Sequence, residues 1–123
     1  MIKLIVSDID GTLVPDGSHE MNPELLVVIM KIRENGVQFA AASGRQWASI
    51  ESIFGPIKEK VFYLSDNGAY VGCHGRHLFL NPIDRETVMD LVRDVRRMEG
   101  FAVMIRGPAV VSLETEKQAS LGW

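Results

Sequence analysis

Three short apolar runs, each followed by a polar turn, constrain the fold of this sequence more than any other feature. The runs occupy residues 4–6, 37–42 and 61–64, and segments with helical spacing of apolar residues separate them. Such alternation is typical of parallel strands joined by right-handed helical crossovers. In such sheets ligands bind beyond the carboxyl ends of the strands. The sequence therefore predicts an α/β fold with a Rossmann-like parallel sheet.

Local signals give the expected limits of the elements. The first strand, residues 4–6, is expected to be fully buried because its apolar run is continuous. Asn22 is expected to cap a helix that has Pro23 in its first position and ends at Gly36. A second helix should end at Gly55 and bury one side, formed by Trp47, Ile50, Ile53 and Phe54.

Beyond Gly68 the pattern changes to that of a second, mixed unit. Residues 69–80 predict a hairpin, and Asp84 is expected to cap a helix that stops at Gly100. Strands are expected at 101–105 and 110–113. The apolar face of that helix would contain Val88, Leu91, Val92, Val95 and Met98.

Composition excludes some classes of partner. The net charge of −3 provides no broad cationic field for nucleic acid or anionic lipid. No apolar stretch approaches the roughly 20 residues of a membrane span, and the first residues are too polar for a signal peptide. Cys73 is the only cysteine, which excludes an intramolecular disulfide and is typical of a cytoplasmic protein.

The segment Asp8-Ile9-Asp10-Gly11-Thr12-Leu13 places two carboxylates directly after the first strand. Gly11 predicts a turn that would let the two side chains take separate roles. One carboxylate could attack phosphorus, while the other donates a proton to the leaving oxygen. Because two carboxylates repel a phosphate dianion, Mg2+ would be required.

A second polar segment, Ser43-Gly44-Arg45, follows the second strand and precedes a helix. Backbone N–H groups at such a position favour phosphate, and the Ser43 hydroxyl could donate a further hydrogen bond. Arg45 could reach the same anion or the rest of the substrate. Two alternatives stay open: Ser43 could only cap the helix, and Arg45 could have a surface or interdomain role.

Asp-Ile-Asp-Gly-Thr-Leu at 8–13 and Ala-Ser-Gly-Arg at 42–45 resemble the first two motifs of the haloacid dehalogenase superfamily. The turn at 65–69 and the hairpin after it resemble its Cof-type phosphatases, so the chain is expected to hold a partial core, 1–82, and the beginning of an α/β cap domain, 83–123. The resemblance implies hydrolysis of small phosphate monoesters, such as sugar phosphates, through an aspartyl-phosphate. It also implies these roles: catalysis by Asp8 and Asp10, Mg2+ binding by the same two residues, and phosphate or substrate binding by Gly11, Thr12, Ser43, Gly44, Arg45 and Asn67.

The family pattern also includes a later lysine and a Gly-Asp motif that completes the metal site, and the sequence shows neither. Lys58 and Lys60 precede the third strand, and Lys117 falls in the expected cap. We therefore expect a truncated chain with little activity of its own; the alternative is a non-catalytic remnant or interaction module. An incomplete sheet would leave one edge uncovered, which predicts self-association.

Competing interpretations apply to several of these residues. A calcium loop does not fit, because Leu13 stands where that loop needs glycine. Asp66-Asn67-Gly68 could be a simple turn rather than a substrate contact. A zinc site at Cys73, His74 and His77 would lack a fourth ligand.

Overall fold

A computed structural model of the protein describes residues 1–107 and 111–114. The chain divides into two compact units, Met1–Asn81 and Pro82–Trp123. Val110, where the last predicted strand begins, and Lys117, which falls in the expected cap, lie outside the described part of the chain. No helix among the described residues is both long and apolar enough to cross a membrane.

The first unit is built on a five-stranded sheet with its strands in sequential order. The strands are β1 (Leu4–Asp8), β2 (Gln38–Ala42), β3 (Phe62–Ser65), β4 (Tyr70–Cys73) and β5 (Arg76–Leu80). The first three strands are parallel, and the last three are antiparallel neighbours. The α/β fold is thus confirmed, with the hairpin extending the parallel strands into one mixed sheet.

Two helices connect the parallel strands: α1 (Pro23–Glu34) and α2 (Trp47–Phe54). Asn22 caps α1 as predicted, since its side chain accepts a hydrogen bond from the Glu24 amide at 2.9 Å. A 3-10 helix, Gly55–Lys60, follows α2. The two helices join one core with the sheet, which includes Ile29, Phe39, Ala41, Ile50, Phe54 and Tyr63.

The prediction that the first strand is fully buried is wrong. Leu4 and Val6 are 51% and 53% exposed, while Ile5 is partly buried against the core. The reason is that β1 forms one edge of the sheet and that α1 and α2 pack into the same core as Ile5, on the face opposite to Leu4 and Val6. Self-association through this edge stays a prediction.

A tight hairpin joins β4 to β5 through His74 and Gly75, whose φ angles are 52° and 69°. Positive φ at both positions is typical of the two-residue turns that match the twist of the strands. The predicted hairpin is therefore confirmed.

Within the described residues no group of three or more His, Cys, Asp or Glu side chains is arranged to hold a metal, so zinc at Cys73 finds no support.

In the second unit, Asp84 caps α3 (Arg85–Arg96) by accepting a hydrogen bond from the Thr87 amide at 2.9 Å. The helix ends before Gly100, and of its expected apolar face Val92 is buried while Leu91 and Met98 are about half exposed. Two antiparallel strands follow, β6 (Val103–Arg106) and β7 (Val111–Glu114).

Candidate active site

The turn after β1 places Asp8 and Asp10 at the carboxyl end of the sheet. Ile9 lies between them and is fully buried, and its carbonyl oxygen accepts hydrogen bonds from the amides of residues 12–14 at 2.9 to 3.2 Å. The chain therefore folds tightly around one buried anchor. Both carboxylates stay exposed to solvent beside it.

Glycine is required at position 11 of this turn. Its φ is 73°, and its amide donates to the Val14 carbonyl at 2.8 Å. A Cβ atom there would also lie 3.0 Å from Oδ1 of Asp16. Because the Gly11 and Thr12 amides both donate within the turn, their binding of phosphate stays a prediction.

The Asp8 carboxylate is held in a defined orientation. Its Oδ1 accepts a hydrogen bond from the Ile9 amide at 2.9 Å, and the Ser7 hydroxyl donates to the Asp8 carbonyl at the same distance. In the parallel register Asp8 lies opposite Ala42, the last residue of β2. The candidate nucleophile thus lies next to the loop that begins at Ser43.

Three backbone hydrogen bonds join the loops after β2 and β3. The Ser43 amide donates to Leu64, the Asn67 amide donates to Ser43, and the Asp66 amide donates to Arg45, at 2.9 to 3.2 Å. Each bond links the loop after β2 to β3 or to the turn that follows β3. The two loops therefore form one hydrogen-bonded platform at the carboxyl edge.

The turn after β3 brings Asn67 against Gly44. Asp66 and Asn67 have φ angles of 51° and 56°, which Asp and Asn tolerate better than most residues. A Cβ atom on Gly44 would lie 3.1 Å from Oδ1 of Asn67, so glycine leaves room for this amide. A turn at Asp66–Gly68 is confirmed, whereas contact between Asn67 and a substrate stays a prediction.

Ser43 does not cap α2. That helix begins at Trp47, with Gln46 as its capping residue. The Ser43 hydroxyl oxygen instead accepts a hydrogen bond from the Arg45 amide at 3.1 Å. Capping is therefore excluded as the reason for a serine at this position.

An ion pair links this platform to the first turn. The Arg45 Nε lies 3.1 Å from both carboxylate oxygens of Asp10, and its Nη2 lies 2.5 Å from Oδ1. Hydrogen bonding from Arg45 holds the pKa of the Asp10 carboxyl below its usual value. Asp10 is therefore ionised at neutral pH in this arrangement, and Arg45 contacts a residue of the first motif.

The structure adds residues that the sequence analysis missed. The Arg45 guanidinium also lies 3.4 Å from the Ser18 carbonyl oxygen and 3.5 Å from Nδ1 of His19. Both belong to the loop between β1 and α1, at the carboxyl edge where ligands bind in such sheets. Their polar character and their place in that loop were the signal that could have identified them.

Oxygen donors of the kind that hard divalent cations prefer lie at this edge. Mg2+ is typically held in proteins by one or two carboxylates, substrate phosphate and several waters. The Asp8 carboxylate and the Asp10 backbone carbonyl are donors of this hard type, and Asp8 is exposed. The described residues do not form a complete ligand cage.

The family model of the haloacid dehalogenase-like hydrolases matches residues 5–120 of the sequence. The chain belongs to this family. The match covers both the core motifs and most of the second unit, so the resemblance stated from the two motifs is confirmed. The five-stranded sheet is the corresponding part of this hydrolase fold.

Proteins similar to this chain include curated phosphatases. The chain is 26% identical over 91 residues to the 5-amino-6-(5-phospho-D-ribitylamino)uracil phosphatase YbjI of Escherichia coli, covering 74% of the chain and 34% of the relative. It is 25% identical over 118 residues to the phosphatase YwpJ of Bacillus subtilis, covering 95% of the chain and 41% of the relative. The chain thus spans about a third to two fifths of these relatives. A crystal structure from Eubacterium rectale is 41% identical with a TM-score of 0.69, covering 76% and 37%.

Proposed function

We propose that the protein hydrolyses small phosphate monoesters, such as sugar phosphates, through a phosphoryl group carried on Asp8. One observation carries the proposal: the turn bearing Asp8 and Asp10 is tied by Arg45 to the platform that presents Ser43. In this proposal Asp8 is the nucleophile and Asp10 the acid/base group, and Ser43 donates a hydrogen bond at the same edge of the sheet. The names of the curated relatives, both phosphatases, support the same class of reaction.

In the first step, an oxygen of the Asp8 carboxylate forms a bond to phosphorus while the bond from phosphorus to the ester oxygen breaks. Asp10 is ionised while it is paired with Arg45, so it first takes up a proton from solvent when it leaves that pair. It then gives this proton to the ester oxygen, and the leaving group departs as an alcohol. In the second step Asp10 takes a proton from water, whose oxygen attacks phosphorus and releases inorganic phosphate from Asp8. The proton on Asp10 is thereby restored.

The Asp8 carboxylate and the Asp10 backbone carbonyl would hold Mg2+. When bound, Mg2+ offsets the repulsion between the carboxylates and the phosphate dianion. Ser43 and Gly44 would hold the phosphoryl oxygens, and Asn67, against Gly44, would contact the substrate beside them. Gly11 and Thr12 would support the same group.

The other parts of the proposal rest on the family. Residues 83–123 would begin a cap domain that selects the substrate, and the protein would act in the cytoplasm on a small metabolite rather than on nucleic acid or a membrane. The substrate of the whole protein is also a proposal, because the chain spans less than half the length of its curated relatives. No observation on the described residues favours a non-catalytic remnant.

Replacing Ser43 by Ala tests the phosphate platform. We expect kcat/KM for p-nitrophenyl phosphate to fall by about tenfold, because one hydrogen bond to a charged oxygen is lost. Ser52→Ala is the matched control, since Ser52 is an exposed serine whose hydroxyl donates to the Ser49 carbonyl within α2. Equal kcat/KM values for the two variants would contradict the assignment of Ser43.

A further inference from the structure

The Arg45 side chain connects two segments that lie far apart in the sequence. It binds both oxygens of Asp10, and it also reaches the carbonyl of Ser18 and the ring of His19. One guanidinium therefore holds the loop between β1 and α1 against the catalytic turn. Loss of this side chain from Asp10 would loosen that loop.

The backbone of Arg45 is fixed on both sides. Its amide donates to the Ser43 hydroxyl at 3.1 Å, and its carbonyl accepts from the Asp66 amide at 3.0 Å. A new partner for the guanidinium thus needs only rotation of the side chain. The platform itself can stay unchanged during such a rotation.

The present partner can be displaced by a better one. The Asp10 side chain is 49% exposed, so water competes for its carboxylate, whereas the Arg45 side chain is only 18% exposed. A phosphate dianion offers more charge than a carboxylate, and its oxygens match the guanidinium fork equally well. Phosphate bound at Ser43 would lie two residues from Arg45 along the chain.

We propose that Arg45 is a positioning residue that exchanges partners: it binds Asp10 in the free protein and turns to the phosphate when substrate binds. This inference rests on the proposed phosphate site at Ser43. The exchange frees Asp10 for the leaving group and releases Ser18 and His19 together. The loop that carries Ser18 and His19 is therefore held by this ion pair until an anion arrives.

A double-mutant cycle with inorganic phosphate tests the exchange. Dissociation constants are measured by NMR titration, in a buffer with Mg2+, for the unchanged chain, Asp10→Asn, Arg45→Gln and the double variant. Asp10→Asn removes both a repulsive charge and the competitor for Arg45, whereas in the Arg45→Gln background it removes the repulsion alone. We expect the tightening to be about fivefold larger when Arg45 is present, as for an exposed ion pair that is broken on binding.

The same titration separates this inference from the proposed function. Amide shifts at Ser43 and Gly44 report phosphate on the platform, and faster hydrogen exchange at Ser18 and His19 reports release of the loop. Phosphate binding with equal tightening in both backgrounds would overturn the exchange and leave the phosphate site standing. Absence of shifts at Ser43 and Gly44 in every variant would overturn the phosphate site and, with it, the exchange.

Discussion

Replacing Asp8 by Asn is expected to abolish any magnesium-dependent hydrolysis of p-nitrophenyl phosphate that the chain shows, a fall of at least about a thousandfold where turnover is measurable. Asn is nearly isosteric, and its Oδ1 can still accept the hydrogen bond that the Ile9 amide donates to Asp8 at 2.9 Å. The turn should therefore keep its structure. The loss would come from the weak nucleophilicity of an amide oxygen compared with a carboxylate.

The matched control for this variant is Asp90→Asn. Asp90 is an exposed residue of α3 and pairs with Arg93, so the same chemical change is made far along the chain. We expect its turnover to equal that of the unchanged protein. A rate in Asp8→Asn that matches the control would show that Asp8 is not the nucleophile.

Replacing Gly72 by Ala is expected to destabilise the first unit by about 2 to 3 kcal/mol, as measured by urea unfolding followed by circular dichroism. A Cβ atom at this position would lie 1.9 Å from Cζ3 of Trp47 and 3.0 Å from the Arg76 carbonyl oxygen. The indole cannot simply move away. Its ring centroid lies 4.5 Å from that of Tyr70 and 5.3 Å from that of His77.

The combination with Trp47→Leu identifies the cause of this loss. A leucine side chain is shorter than tryptophan and leaves room for the new methyl group. We therefore expect Gly72→Ala to cost clearly less in the Trp47→Leu background than in the unchanged protein. Equal costs in the two backgrounds would mean that the clash with the indole is not responsible.

Local sequence signals were enough for much of the fold. Asn22 and Asp84 cap helices because their side chains accept from amides two and three residues later, which are contacts within the local sequence. The alternation of apolar runs and helical segments predicted that β1 to β3 are parallel, because a helical crossover connects parallel strands. Both kinds of prediction depend on neighbouring residues or on a general rule of chain connection.

Burial was harder to predict, because it depends on which elements cover a strand. The run at 4–6 is as apolar as a central strand, yet β1 lies at the edge of the sheet. The apolar stripe of α3 likewise includes Leu91, which is 54% exposed. The sequence around residues 4–6 and around Leu91 does not show which other elements cover these side chains.

The motifs identified the candidate site, but not its contacts. Asp10 and Arg45 were both named from the sequence, whereas their ion pair joins residues 35 positions apart. The approach of Trp47 to Gly72 likewise requires α2 to pack on β4. Such contacts follow from the tertiary arrangement, which local periodicity does not specify.

Trapping the covalent intermediate tests the central claim most directly. The protein is mixed with p-nitrophenyl phosphate and Mg2+, quenched in acid, digested and examined by mass spectrometry. We predict one phosphoryl group on the peptide that contains Asp8, and none on that peptide from the Asp8→Asn variant. Hydrolysis that proceeds with no phosphoryl group on Asp8, or with the group on another residue, would contradict the proposed mechanism.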